Sequence, residues 1–263
     1  MAFPFWVDTI DERDYEGSRQ RGREIMTGYM GNKGVSGAYQ AIISQMPPHD
    51  TYIETHLGSG VIMRRKPPAA RSIGLEIDPA TIERFGPIDG AEIVNADCVA
   101  FLQAFDWTAA GRVVVYADPP YVLATRTSSK RYRHDYTDAD HVRLLATLKA
   151  LPANVSVIVS GYPSELYAAE LAGWRTIEFQ ASTRGGPRTE KLWMNFEAGA
   201  VQSAKFAGVD FIDRQRIKRK AANWAKAFAA MPHGERLAVL AAVLEAGERT
   251  EAPPPRRKAS GAR

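Results

Sequence analysis

Val113-Val114-Val115-Tyr116-Ala117-Asp118-Pro119-Pro120-Tyr121 begins as a β-branched apolar run and ends in two prolines and a ring. The run has the length and composition of a buried strand. Each proline fixes φ and lacks an N–H, so the strand cannot continue inside a sheet. The stretch therefore predicts an acid and an aromatic ring on a stiff turn at a strand's carboxyl end. In open α/β sheets that edge is where ligands bind. Asp-Pro pairs also serve as plain polar turns, so the flanking sequence has to decide between a site and a turn.

Upstream, Tyr52-Ile53-Glu54 reads as a short strand that ends in an acid. It runs through Thr55-His56-Leu57 into Gly58, Ser59 and Gly60, and Val61-Ile62-Met63 opens a helix. Strand, glycine turn and helix N-terminus together suit the polar end of a cofactor. Next, Ser72 to Glu76, followed by Ile77-Asp78-Pro79, reads as a second strand ending in acids. A nucleotide-binding fold places a carboxylate for ribose hydroxyls there. Pro79 suits the first turn of a helix reaching Phe85. Residues 92–96 read as a third strand, ending at Asp97-Cys98, with a helix to Phe105. Four successive strands thus end at Glu54, Glu76, Asp97 and Asp118, and a parallel sheet would set the four carboxylates along one edge.

Before these strands, residues 1–27 form a polar lead-in segment, and Tyr29-Met30-Gly31-Asn32-Lys33-Gly34 puts a lysine between glycines. The stretch lacks P-loop spacing. It reads as a surface turn, or as a lysine able to reach a carboxylate or phosphate. A helix over residues 39–46 follows, stopped by Pro47-Pro48. After Tyr121, Arg126, Lys130, Arg131 and Arg133 alternate with Tyr132 and Tyr136. This segment reads as a solvated loop or as a nucleic-acid contact through phosphate and stacking. Thr137-Asp138-Ala139-Asp140 predicts a capping box. Leu144, Leu148 and Leu151 form the buried face of its helix, and His141 in the first turn reads as structural. A fifth strand, residues 155–159, leads into Ser160-Gly161-Tyr162-Pro163 and a helix over 165–171. Residues 174–183 and 190–196 predict a hairpin with a basic tip from Arg184 to Arg188.

The chain has 263 residues, 45% of them hydrophobic and 24% charged, the balance of an ordinary globular protein. It has no apolar run long enough for a membrane span, and no signal peptide is evident. One cysteine, Cys98, excludes an internal disulfide and a cysteine-clustered zinc site; a reducing cytoplasm fits. The net charge of +4 is unevenly spread. From Lys205 onward thirteen basic residues face six acids, a surplus of seven, which leaves the rest of the chain at −3. Residues 210–246 read as two helices. Ile217, Ala221, Trp224 and Phe228 make one apolar face among Arg216, Lys218, Arg219 and Lys220, a solvated helix face or a phosphate contact. The proline-rich basic tail, 251–263, is expected to be disordered. A basic end on a near-neutral body suggests a polyanionic partner.

Taken in order, these residues resemble the Dam-like class of adenine-N6 DNA methyltransferases, especially its small phage and prophage forms. The resemblance spans roughly residues 26–200. It rests on Gly31-Asn32-Lys33-Gly34, Glu54 to Gly60, the acid after the second strand, Asp97, Asp118-Pro119-Pro120-Tyr121, Ser160-Gly161-Tyr162 and Thr189-Glu190-Lys191-Leu192-Trp193. It implies a Rossmann-like S-adenosylmethionine-dependent methyltransferase fold over residues 28–200. That is an α/β domain with a mostly parallel seven-stranded sheet and a C-terminal hairpin, here followed by a helical extension over 205–250.

The cofactor the resemblance implies is S-adenosylmethionine. Tyr29, Gly31, Asn32, Lys33, Glu54, Gly58, Ser59 and Gly60 would frame its methionine end. Glu76, beside Ile77, would take the ribose, and Asp97 with Cys98 the adenine. The class has a Pro-Phe pair where this chain has Thr55-His56, and His56 would stack in place of the Phe. Asp118, Pro119, Pro120 and Tyr121 would hold the target adenine, and no metal is implied. The partner would be double-stranded DNA, met by Arg126, Lys130, Arg131, Arg133, Arg184, Arg188, Lys218, Arg219 and Lys220, in a DNA-modification role such as restriction-modification. Larger relatives carry a recognition domain between the third and fourth acids. Here the interval from Asp97 to Asp118 has no room for one, which predicts short or relaxed sequence specificity. An RNA amino-group methyltransferase and an inactive nucleic-acid-binding relative are the other readings.

Overall fold

The computed structural model describes residues 33–34, 37–125, 133–183, 186–208 and 210–248. Tyr29, Gly31, Asn32, Arg126, Lys130, Arg131 and Arg184, together with the lead-in and the tail, lie outside them. The chain divides into two compact units, one ending at Ala207 and one beginning at Gly208.

The first unit is α/β. Its elements run α1 (Ala38–Ile43), β1 (Thr51–Glu54), α2 (Val61–Arg65), β2 (Arg71–Glu76), α3 (Pro79–Phe85), β3 (Glu92–Asn95), α4 (Cys98–Ala104) and β4 (Val113–Ala117). They continue with α5 (Asp138–Lys149), β5 (Val155–Gly161), α6 (Glu165–Glu170), β6 (Arg175–Thr183) and β7 (Gly186–Met194). The seven strands form one sheet in the order β3-β2-β1-β4-β5-β7-β6. β1 to β5 are parallel, and β7 runs antiparallel to both β5 and β6. This is the Rossmann-like sheet with a C-terminal hairpin that the sequence predicts.

β4 is buried at every position because it lies between β1 and β5 with helices on both faces, as expected for a parallel strand. Val113, Val115 and Ala117 point toward one core, packed with Val99 and Leu102 of α4, Leu144 and Leu148 of α5 and Tyr167 of α6. Val114 and Tyr116 point to the other, with Ile42 and Ile43 of α1 and Ile62 and Met63 of α2. Fully burying each such aliphatic side chain stabilises the fold by about 1.5–3 kcal/mol. The helix starts follow their caps. Asp78 accepts the Ala80 N–H before Pro79 at N1, Asp97 accepts the Ala100 N–H, and Thr137 and Asp140 form the capping box.

The hairpin differs from the sequence expectation. β7 begins at Gly186, so the turn is shorter and Arg188 lies within the strand. Pro187 fits because it pairs with Ser182 of β6, beyond the last pairing with β5 at Gly161 and Lys191. One side of β7 has no ladder bond to lose there.

The second unit contains α7 (Phe211–Ala230) and α8 (His233–Glu248). Asp210 caps α7 by accepting the Asp213 N–H. The expected apolar face is not buried: Trp224 is 61% exposed, and Leu237, Leu240 and Leu244 are exposed too. Lys218, Arg219 and Lys220 are exposed. Among the described residues, no helix is long and apolar enough to cross a membrane.

Candidate active site

The chain runs outward from β1 to β2 and β3, then returns to place β4 on the other side of β1. Such a switch point opens a crevice at the carboxyl ends of the two central strands. A cleft of about 330 Å³ lies there. Asp118, Pro119, Pro120 and Tyr121 line it, as do Lys33, Glu54, His56, Gly58, Ser59, Glu76, Ile77, Asp97 and Cys98. Among the described residues of the expected catalytic and cofactor sets, only Gly60 does not. Gly60 instead starts α2 with φ 65°, and a Cβ there would lie 2.5 Å from Ile88 Cδ1.

Side-chain alternation explains which groups meet. Glu54 sits beside Tyr116, Tyr116 beside Ile158, and Ile158 beside Met194, so all four share one face. Two residues further along that face come Asp118 and Ser160, and Leu192 lies beside Ser160. Glu190, two residues before Leu192 on β7, completes the group. Ser160 Oγ donates to Asp118 Oδ1 at 2.8 Å and lies 2.9 Å from the Tyr116 hydroxyl. Lys33 Nζ is 3.0 Å from the same Oδ1 and 2.9 Å from Glu190 Oε2, and it donates to the Tyr121 hydroxyl at 2.8 Å. The Tyr121 hydroxyl donates in turn to Glu190 Oε1 at 2.9 Å.

One lysine therefore serves two carboxylates. Burial opposes the Lys33 charge, but Asp118 and Glu190 outweigh it and hold the ammonium well above its ordinary pKa. Burial pushes the Asp118 carboxyl up, Lys33 pulls it down and Glu190 pushes it up again; the balance lies above the usual value. The sequence expectation put Lys33 at a cofactor's methionine end. Lys33 does line the cleft, but its ammonium faces the Asp118 turn.

The other strand-end acids are already bonded. Glu54 Oε2 accepts the Tyr52 hydroxyl and the Met63 N–H, each at 3.0 Å. Burial nevertheless raises its carboxyl to about 8. Glu76 accepts the Gly58 N–H at 2.9 Å on one oxygen and the Asp78 N–H at 3.0 Å on the other, which ties the glycine turn to the end of β2. Asp97 caps α4 with Oδ1 and meets Arg143 at 3.0 Å with Oδ2. Each oxygen of Glu76 and Asp97 keeps a second lone pair, and Glu54, with both bonds on Oε2, keeps its Oε1, so none of these bonds removes an acid from the cleft.

His56 is held edge-on to Tyr136, with ring centroids 5.5 Å apart, by Thr55 Oγ1 on Nδ1 and the Tyr136 hydroxyl on Nε2. Burial pushes its pKa down to about 3, so the ring is neutral. The Cys98 sulfur is 3.6 Å from the Tyr136 hydroxyl, and burial raises its thiol to about 11. Arg133, expected on a DNA-contacting loop, pairs with Asp78 at 3.1 Å and lines the cleft beside His134 and Tyr136. His141 is buried with Nδ1 3.0 Å from the Tyr167 hydroxyl, a structural place.

Tyr121 stacks on Tyr162, centroids 4.1 Å apart and planes at 27°. The Arg188 guanidinium lies 4.7 Å from the Tyr162 ring centre. The second unit contains Lys218, Arg219 and Lys220. The sequence alone assigns no site role to Ser160, Glu190 or Tyr162, and it offers Tyr136 only as a stacking ring on the basic loop. A signal for Glu190 existed: it continues the buried alternation of Met194 and Leu192, where an acid needs a partner.

No protein-family model matches the sequence, and no curated protein matches it at a significant level. Solved structures resemble it at low identity. A precorrin 8w decarboxylase from Methanobacterium thermoautotrophicum is 12% identical over 65% of this chain and 97% of its own, with a TM-score of 0.39. An rRNA methylase from Streptococcus thermophilus is 7% identical over 59% and 91%, with a TM-score of 0.37. TrmK from M. capricolum, in complex with S-adenosyl-homocysteine, is 9% identical over 81% and 96%, with a TM-score of 0.38. Likeness of this degree decides neither substrate nor cofactor.

Proposed function

We propose that the protein transfers the methyl group of S-adenosylmethionine to the N6 amino group of adenine in DNA. The observation that carries this reading is the Asp118-Pro119-Pro120-Tyr121 turn, with Asp118 fixed by Ser160 and Lys33 in the wall of a cleft lined by three more strand-end acids. The cleft volume falls within the usual range for ligand sites. Glu54 and the Gly58–Gly60 turn would hold the methionine end of the cofactor, Glu76 its ribose, and Asp97 and Cys98 its adenine. When bound, the cofactor supplies a methyl group activated on a sulfonium.

The chain's own residues would do the rest. The N6 lone pair of adenine is conjugated with the ring and is a weak nucleophile. Asp118 and a backbone carbonyl of the turn accept the two amino hydrogens and draw the nitrogen toward tetrahedral geometry. Lys33 and Ser160 fix the carboxylate in advance, so positioning and electrostatics carry the rate. Extruding the base from a duplex costs about a few kcal/mol, least at a mismatch. Stacking near Tyr121 and Tyr162 returns about 1–3 kcal/mol per base. Only residues 105–112 separate α4 from β4. Sequence recognition then falls to residues outside that interval, including Arg188, and is short or relaxed.

The test is to incubate the protein with methyl-labelled S-adenosylmethionine and duplex DNA, single-stranded DNA or RNA, then identify the modified base. N6-methyladenine in DNA is expected, lost in Asp118→Ala with cofactor binding retained. Label confined to RNA would replace this reading with an RNA amino-group methyltransferase. DNA binding without transfer to either nucleic acid would make it an inactive relative.

A further inference from the structure

We infer that Glu190 is a positioning residue for the Asp118 turn, dividing the Lys33 charge and anchoring the Tyr121 hydroxyl. The inference rests on the proposed function for its chemical meaning, but the contacts stand independently. Lys33 is 4% exposed and Glu190 3%, so their 2.9 Å pair is screened little by solvent. Nothing about folding alone requires a second acid here, since Asp118 already neutralises Lys33 at 3.0 Å. Burying a further carboxylate is unfavourable unless it is paired and bonded. Glu190 meets that condition with both oxygens, one on Lys33 and one on Tyr121.

The arrangement has a consequence at Asp118. If Lys33 faced Asp118 alone, its whole charge would fall on that carboxylate, which would then be a weaker acceptor for an amino group. Sharing the ammonium with Glu190 leaves Asp118 more basic. Among the described residues, the polar partners of Asp118 both meet Oδ1, so Oδ2 is the oxygen offered to the substrate. The same Glu190 bond fixes the Tyr121 ring, which stacks on Tyr162. One residue thus sets both the charge and the aromatic wall of the target site. The titratable groups around Asp118 are Lys33, Tyr52 and Glu54 from β1, Tyr116 from β4 and Glu190 from β7, with Tyr121 and Tyr167 nearby. Of these, Glu190 is an acid in direct contact with Lys33.

The experiment compares the full-length wild-type protein with Glu190→Gln and Glu190→Asp. The Asp118 carboxyl is titrated by ¹³C NMR without cofactor, its signal assigned with Asp118→Asn. The pH profile of kcat is measured with DNA. In Glu190→Gln the Asp118 titration moves to lower pH. Because transfer needs Asp118 ionised, the acid limb of kcat moves down with it. At the plateau kcat falls on the order of 10-fold or more, while KM for S-adenosylmethionine holds. Glu190→Asp keeps the charge and so keeps Asp118 near its wild-type titration, which protects the test if the glutamine variant folds poorly. An Asp118 titration unmoved in Glu190→Gln overturns the inference, as does a fall in kcat with the acid limb unshifted. If the wild-type protein transfers no methyl group at all, the proposed function has failed, and the NMR titration alone still decides whether Glu190 sets Asp118.

Discussion

Replacing Glu54 with glutamine should remove a pH dependence from folding. Glu54 ends β1 at 3% exposure, with its Oε2 accepting from Tyr52 and from the Met63 N–H. Burial lifts its carboxyl from 4.5 to about 8. A folded-state value above the unfolded one means a stabilising contribution that is complete below pH 4.5 and lost as pH rises through 8. Between these limits the unfolded chain has released the proton and the folded protein still holds it. At about 1.36 kcal/mol per pH unit, the stabilisation that disappears is on the order of 5 kcal/mol. His49, lowered to about 4, and His56, lowered to about 3, act in the opposite sense below pH 6.5, so the wild-type curve alone mixes several groups. The difference between the two proteins isolates Glu54. Glutamine keeps an acceptor for Tyr52 and Met63 and mimics the neutral acid. Urea unfolding from pH 4.5 to 8.5 should give near-equal stabilities at the acid end. The two should then separate progressively, with Glu54→Gln more stable by several kcal/mol at pH 8. Parallel curves across this range would refute the reasoning.

Ser160→Ala removes the hydroxyl between Tyr116 and Asp118. It should lower stability by about 1–3 kcal/mol and reduce kcat, both measurable on one preparation; an unaltered kcat would show that Asp118 needs no such anchor. Tyr136→Phe deletes the bond to His56 at 3.0 Å, and calorimetry should find S-adenosylmethionine binding weakened about 2- to 10-fold. Replacing Lys218, Arg219 and Lys220 together with alanine should make the salt dependence of DNA binding shallower, by up to about 0.9 for each phosphate no longer neutralised. The same slope in the variant and wild type would take α7 out of the DNA-binding surface.

The sequence made the sheet and its working edge legible for a specific reason. Short apolar strands that end in Glu54, Glu76, Asp97 and Asp118 announce both a strand and its direction, and Pro119-Pro120 marks where the central strand stops. The partners of Asp118 were harder to see. Ser160 and Glu190 reach it only through the registers of β5 with β4 and β7, and register is a property of the folded sheet. Lys33 could be read as reaching a carboxylate or a phosphate, and only folding selects Asp118 and Glu190. The hairpin turn reads too wide in the sequence because Gly185-Gly186-Pro187 looks like a break, whereas pairing with β6 alone admits the proline. The helical face of Ile217, Ala221, Trp224 and Phe228 has the period of a buried stripe, yet Trp224 is exposed. Periodicity reports that a face could be covered, not that it is.

The bonds that Glu76 and Asp97 already make have a thermodynamic consequence. Neither carboxylate is a loose side chain that a ligand must capture; two backbone N–H groups hold one, and a helix cap and Arg143 hold the other. Their rotational freedom is given up when the chain folds, not when the cleft fills. A molecule that meets their remaining lone pairs therefore gains hydrogen bonds without ordering the groups that make them, which removes about 0.5–1.5 kcal/mol of entropic cost per side chain from the binding step.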